Sequence, residues 1–356
     1  MSKLRLAIVV KYYPPVTRIS GIVTFISLLA RHLATHAEVS IVTYRPSRND
    51  PAELEIDGCT IHRVDAPFPV TAGRRVRALR PDVTIVVSGV HDLRKAIPYF
   101  AAFDATAGRA GRRVFFQATN VGGVPSAALA RTLGRYESIL CASASIADKF
   151  TPRFGERAVM FLPAVDVDQL AAVEPEPSAA FRMGFVNHVN RVKGADIALD
   201  TITPLLRELQ GSDAVVAGVG ELEPELRTKF GAAPNLEFRG FLDEPARLAL
   251  LASCDVALLP FRTDVSVLGV SQTVLEIMAL GRVVVGSPTG AILPAVHDGV
   301  DGIIASGADA TREQVRRLFA QPDLRSRIGA AAQASARRDW DVRTRVDQLL
   351  ALLALG

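Results

Sequence analysis

Two doubly wound α/β domains are the fold this chain predicts, and three observations carry that expectation. The chain has 356 residues, more than one ordinary core needs and about right for two domains of roughly 150 to 180 residues each. Short apolar runs alternate with amphipathic segments almost from end to end, the pattern of parallel sheets covered on both faces. Near the middle, residues 171–180 read AAVEPEPSAA, where two prolines and two glutamates deny both helix and sheet continuity.

In the first half the spacing predicts strands at 4–10, 39–43, 61–64, 83–87, 114–117, 138–142 and 159–162. Its clearest helix is 23–35, where Val23, Phe25, Ile26, Leu29, Ala30 and Leu33 recur three and four apart. The second half repeats the alternation, with strands at 184–187, 214–217, 236–239, 256–259, 283–286 and 302–305. Its helices are expected to begin near Gly194, Glu223, Pro245, Ser271, Leu293 and Thr311. After Arg325 the tail reads as helical with a break around 339–341, where Trp340, the only tryptophan, is expected to pack at the domain junction. The expected organisation is therefore a first domain over 1–174, a second over 175–335, and a final helix over 336–356 packing back on the first.

Composition excludes several classes. With 49% hydrophobic and 22% charged residues the chain is an ordinary globular protein. Three cysteines, Cys59, Cys141 and Cys254, follow no metal-ligand spacing and leave an odd thiol in any disulfide scheme, so a reducing cytoplasm fits best. The N-terminal apolar run 6–10 is too short for a signal peptide's core or a membrane span. A net charge of +4 is mild and calls for no nucleic-acid partner. The local cluster Arg74, Arg75, Arg77 and Arg80 is either a solvated helix face or a contact for anionic headgroups, making peripheral association with the inner face of a membrane an open reading.

The chemistry concentrates in FVNHVNRVKG, residues 185–194. A short apolar strand runs into polar residues, and Lys193-Gly194 opens an amphipathic helix. Strand, basic loop and helix N-terminus together form an anion seat of a kind that suits a diphosphate. About eighty residues on, TVLEIMALGRVVV (273–285) places Glu276 early in a helix that Gly281 ends before another strand. A phosphate seat and a carboxylate able to grip ribose hydroxyls imply a nucleotide-sugar pocket. Ligands of parallel sheets bind beyond the carboxyl ends of the strands, so the pocket is expected in a cleft between two facing domains.

These residues resemble the retaining glycosyltransferases of family 4, whose GT-B fold consists of two facing Rossmann-like domains. The resemblance covers nearly the whole chain and is strongest over 185–305, including PNLEFRGFLDEPARLALLASCDVALLPF and LEIMALGRVVVGSPTGAILPAVHDGVDGII. Weaker stretches are SGIVTFISLLARHLATHAEVSIVT and LPAVDVDQL. The family's Arg-x4-Lys pair, which holds the donor diphosphate, falls on His188 and Lys193. Arg191 is placed to supply the missing guanidinium, or Asn187 and His188 to donate neutral hydrogen bonds. The plain alternative for Lys193 is a solvated lysine at a helix start.

Of the family's Glu-x7-Glu motif, Glu276 matches the second glutamate, which by resemblance binds the ribose, while the first falls on Leu268, which neither accepts a hydrogen bond nor carries charge. Asp264 is either its substitute or a loop aspartate in water. Ser271, Gln272 and Thr273 offer hydroxyl, amide and helix-start N–H groups to the sugar or phosphate. In the first domain Gly21 stands where a residue without Cβ lets backbone approach a phosphate, or simply turns the chain. His91, in SGVHD after the strand at 83–87, matches the family's acceptor-side histidine, with Thr119 and Asn120 competing for that place and a helix-capping surface histidine as the alternative.

Two Asp-x-Asp strings, 166–168 and 339–341, lie away from the phosphate seat and are not read as metal sites. The resemblance thus implies a metal-independent hexosyltransferase of carbohydrate biosynthesis with no cofactor, taking a nucleoside-diphosphate sugar and an unspecified sugar, lipid-linked or small-molecule acceptor. His188 and Leu268 also motivate a catalytically silent nucleotide-binding module. A nucleotide-sugar 2-epimerase on the same fold needs more acidic groups than the half-present carboxylate pair supplies.

Overall fold

The computed structural model describes residues 3–15, 21–119, 121–262 and 269–354. They form two compact units, Met1–Pro163 with Val342–Gly356, and Ala164–Asp341. The division falls at Pro163/Ala164 and Asp341/Val342, ahead of the Pro/Glu-rich stretch and beyond position 335, because helices Val167–Ala171 and Pro322–Asp339 both pack on helix Gln272–Ala279 and an isolated bridge joins Val165 to Asp341.

The first unit runs β1 (Leu4–Val9), α1 (Gly21–Leu33), β2 (Ala37–Tyr44), β3 (Glu53–Ile56), β4 (Cys59–Val64), α2 (Phe68–Leu79), β5 (Val83–Ser88), α3 (Leu93–Ala107), β6 (Arg112–Gln117), α4 (Ala127–Thr132), β7 (Ser138–Cys141), α5 (Ala144–Phe154) and β8 (Ala158–Met160). Its sheet order is β3-β4-β2-β1-β5-β6-β7-β8, parallel apart from β3. The six apolar positions expected of the first helix are its buried face. Strand β5 is buried along its whole length, as a strand covered on both faces must be. Phe115 sits edge-on to Phe100 at 5.0 Å and to Tyr136 at 5.8 Å, filling the core between β6 and its helices.

The antiparallel strand β3 was not expected. Asp57 and Gly58 both have positive φ (50° and 76°) and close a two-residue hairpin between β3 and β4, the geometry that Asp-Gly favours. The dipeptide was the available signal; the polar sequence ELEI, exposed at alternate positions, hid the strand.

The second unit runs α6 (Val167–Ala171), β9 (Phe181–Val186), α7 (Ala195–Glu208), β10 (Ser212–Ala217), α8 (Glu223–Phe230), β11 (Leu236–Gly240), α9 (Glu244–Ser253), β12 (Val256–Leu259), α10 (Gln272–Ala279), β13 (Val283–Gly286), β14 (Ile303–Ile304), α11 (Gly307–Ala320) and α12 (Pro322–Asp339). The sheet, β11-β10-β9-β12-β13-β14, is wholly parallel. One core cluster joins Met183, Leu258 and Val285 to Ile202, Leu205 and Ile328; the other joins Phe185 and Val216 to Leu199, Leu222 and Leu226.

No helix begins near Leu293. Residues 288–296 wind through turns instead, with Ile292 N–H on the Thr289 carbonyl at 3.0 Å, and Pro294 has no N–H to continue a helix. Trp340 is buried and closes α12, its carbonyl accepting from Val165 N–H at 2.9 Å. The last helix, α13 (Val342–Ala354), packs on α1 of the first unit. The three cysteines are buried free thiols.

Candidate active site

In the second unit the chain passes from β9 outward to β10 and β11, then returns to β12 on the other side of β9 and continues through β13 and β14. The connection therefore reverses between β9 and β12. Loops diverge there and leave a crevice beyond the strands' carboxyl ends. Lys193 lies in the loop from β9 to α7, and its ammonium stands 4.3 Å from the centre of the Phe261 ring, just past β12. The cation is thus held at the reversal itself.

Several local constraints put it there. Gly194 caps α7 with φ +68°, and a Cβ at that position would come 1.9 Å from the Pro260 carbonyl oxygen, so only glycine allows the two loops this close. Asn190 Oδ1 accepts from Lys193 N–H at 2.9 Å. Arg262, which follows Phe261, donates its backbone N–H to the Val192 carbonyl at 3.1 Å and its Nε to the Arg191 carbonyl at 3.0 Å. Its guanidinium pairs with Asp196 in the first turn of α7. Ser287, past β13, donates its hydroxyl to the Phe261 carbonyl at 2.5 Å. Burial pushes the Lys193 ammonium down to about 8, while the aromatic face recovers part of the cation's lost hydration.

Glu276 lies in α10 and is only 4% exposed. Its partner is Arg247 of α9, bidentate at 2.7 and 3.0 Å. The structure thus joins Glu276 to Arg247 rather than to Lys193. A carboxylate has about four acceptor positions, and the guanidinium takes two. Arg247 was not singled out from sequence: its relation to Glu276 spans 29 residues and leaves no local pattern.

Asn187 is half-buried and His188 exposed. The Asn187 Oδ1 accepts from His188 N–H at 2.9 Å, and its enclosed Nδ2 has no protein partner, the kind of atom a bound anion or water satisfies. Arg191 is exposed and contributes its carbonyl to Gly194 and Arg262. Gly218, with φ +130°, passes so close that a Cβ would sit 1.9 Å from the Asn187 carbonyl oxygen. Past the same ends of β10 and β11, Val219 and Phe241 are 44% and 65% exposed. These two large apolar residues were also missed from sequence, since an isolated Val or Phe at a strand end reads as core.

At the start of α10, Ser271 and Thr273 are half-buried. The Gln272 amide donates one of its two N–H groups to the Ala164 carbonyl at 3.0 Å, and its enclosed Oε1 has no protein partner. Asp264, Leu268 and Asn120 lie outside the described residues.

In the first unit the chain reverses between β1 and β5. Gly21 opens α1, which follows β1, and His91 lies exposed in the loop from β5 to α3, so both belong to that reversal. The cap of α3 is Asp92, which accepts from Arg94 N–H at 3.0 Å, not His91. Thr119 is buried and takes the Gln117 amide at 3.1 Å. The arginine cluster divides. Arg75 pairs with Glu53 at 2.6 Å and contacts His62 Nδ1 at 2.8 Å, and Arg80 leaves the helix as its left-handed cap. No described helix is long and apolar enough to cross a membrane.

Among the described residues no group of three or more His, Cys, Asp or Glu is placed to hold a metal ion. Asp166 caps α6, accepting from Gln169 N–H at 3.0 Å, and Asp168 pairs with Arg337 at 2.7 Å.

Two units, each built on a doubly wound and mainly parallel sheet, are the components of the GT-B fold. Residues 180–321 match the family model described as Glycosyl transferases group 1. Over 321 residues, 81% of each chain, the protein is 27% identical to a GDP-mannose-dependent alpha-(1-6)-phosphatidylinositol monomannoside mannosyltransferase from Mycolicibacterium smegmatis. It is 28% identical over 204 residues to a D-inositol 3-phosphate glycosyltransferase from Frankia alni, a match spanning about half of each chain. The fold is that of Anabaena Alr3699/HepE in complex with UDP (TM-score 0.75, 14% identity, 99% and 100% of the two chains). It is equally that of a sucrose-phosphate synthase from Thermosynechococcus elongatus (TM-score 0.76, 14% identity, 99% of each). The chain is a glycosyltransferase with the GT-B fold, similar over residues 180–321 to the group 1 glycosyl transferases.

Proposed function

We propose that the protein moves a sugar from a nucleoside diphosphate to an acceptor hydroxyl with retention at the anomeric carbon, using neither metal nor cofactor. The observation that carries this reading is Lys193, a cation seated on the Phe261 ring at the sheet's reversal. As the bond from the anomeric carbon to the diphosphate breaks, negative charge grows on the leaving oxygen, and a preorganised ammonium beside the start of α7 offsets it. Arg191, exposed on the same loop, and His188 take the place of the family's arginine.

Glu276 accepts from ribose hydroxyls with the lone pairs that Arg247 leaves, and the bidentate guanidinium holds that carboxylate in one rotamer. Val219 and Phe241 supply an apolar face for the base. Ser271 and Thr273 bind the sugar or phosphate, with Asp264 as a further donor-side group. On the acceptor side Gly21 and His91 line the first unit's reversal. Retention rests on the family resemblance.

Relatives named for GDP-mannose and for inositol-containing acceptors make those compounds the first to try, with UDP-glucose as the second donor. The test measures nucleoside diphosphate released by the parent and by Lys193→Ala. Loss of one such charge is expected to lower turnover roughly 100- to 1000-fold. A folded Lys193→Ala protein with parental transfer would refute the assignment.

A further inference from the structure

We infer that the first unit carries a second phosphate-binding site, at the amino ends of β5, β6 and β7, at the opposite end of the strands from Gly21 and His91. A cleft of about 880 Å³ opens there, within the size range of small-molecule sites. Five arginines line it, against two carboxylates.

Both carboxylates are already engaged. Asp82 accepts from the Arg5 backbone N–H at 2.8 Å and from its guanidinium at 3.3 Å. Glu137 accepts from Arg112 Nε at 2.7 Å. Arg113, buried beneath, is held by Asp104 at 2.5 Å and by the Gly108 carbonyl. That leaves Arg80, Arg109 and Arg135, exposed on the rim; Arg135 feels the charge of Asp104, and none of the three forms a salt bridge among the described residues.

The rim is built rather than loose. Arg80 holds φ 49° and Gly111 φ 64°, both left-handed. Such a conformation costs a non-glycine residue free energy and persists where its surroundings enforce it. A Cβ on Gly111 would come 2.3 Å from the Pro81 carbonyl oxygen, and Arg112 N–H on the Asp82 carbonyl at 2.9 Å locks the two turns together.

Five guanidiniums on one cleft outnumber its two engaged carboxylates, so those on the rim repel one another, and each presents a fork that matches phosphate oxygens two at a time. The ligand class is therefore a phosphomonoester or diphosphate, borne by a soluble molecule or by the headgroup of an anionic phospholipid. Substrates of parallel sheets bind at the carboxyl ends, so occupancy here is separate from turnover and serves regulation or anchoring.

The test compares the full chain with its Arg80→Gln/Arg109→Gln/Arg135→Gln variant, both carrying Lys193→Ala so that the donor seat does not report. Inorganic pyrophosphate is titrated by calorimetry, and pelleting is measured with vesicles of phosphatidylcholine alone or mixed equally with phosphatidylglycerol. All three side chains are exposed and in no salt bridge among the described residues, so the triple variant is expected to fold, which thermal melting checks. Binding of pyrophosphate, of the anionic vesicles, or of both, weakened about tenfold or more by the triple change, supports the site. Vesicle binding identifies the headgroup source, and pyrophosphate binding alone identifies a soluble one. Failure of the Lys193→Ala parent to bind either probe, or equal binding by the triple variant, overturns it.

Discussion

In the proposed mechanism Lys193 carries a charge where burial disfavours one. Its folded value of about 8 lies below the ordinary 10.5, so the protonated lysine costs stability at neutral pH, and that cost is relieved as pH rises from about 8 toward 10.5. The proposed activity has the opposite sign, since in it only the ammonium offsets the leaving diphosphate. The kcat/KM for donor is expected to fall as pH rises through about 8, with Lys193→Arg carrying the profile to higher pH; a flat profile to pH 10 would contradict a catalytic ammonium. Glu276 makes a second prediction through its partner. Arg247→Met leaves a buried carboxylate unpaired and is expected to weaken nucleotide binding and cost about 2 kcal/mol in urea unfolding, less than a fully buried pair because Arg247 is a quarter exposed. Parental binding by that variant would remove Glu276 from the site. Both side chains were legible in sequence as residue types at helix starts. Their immediate partners, Phe261 and Arg247, were not, because contacts across 68 and 29 residues leave no periodic trace.

At the scale of elements, the loop from β9 to α7 and the segment past β12 behave as one piece, joined by Gly194, Arg262 and Ser287. Gly194→Ala combines left-handed strain with a backbone clash and is expected to cost about 2 kcal/mol or more and to reduce donor binding along with stability. Unchanged urea unfolding would show that the close approach to Pro260 is not obligatory. The strands of both sheets were readable because parallel strands buried on both faces are continuous apolar runs, as in VALL and VVVG. The sequence misled where polarity or proline opposed the pattern. Strand β3 is half exposed and was passed over, and the run around Leu293 looked helical although Pro294 breaks the hydrogen-bond series.

For the whole molecule, the two-unit α/β organisation followed from length and alternation, whereas the boundary did not. Pro/Glu richness marks a surface segment, but the units divide where packing divides, and α6 packs with α10. A nucleoside diphosphate that binds the native chain is expected to raise stability by roughly 2.7 kcal/mol at about 100 times its dissociation constant, and this increment should shrink in Lys193→Ala. The most direct measurement is a crystal structure of the chain with a bound nucleoside diphosphate. The expected result has diphosphate oxygens within hydrogen-bonding distance of Lys193 Nζ and ribose hydroxyls on Glu276; a nucleotide touching only one of the two, or seated elsewhere, would contradict a shared donor site.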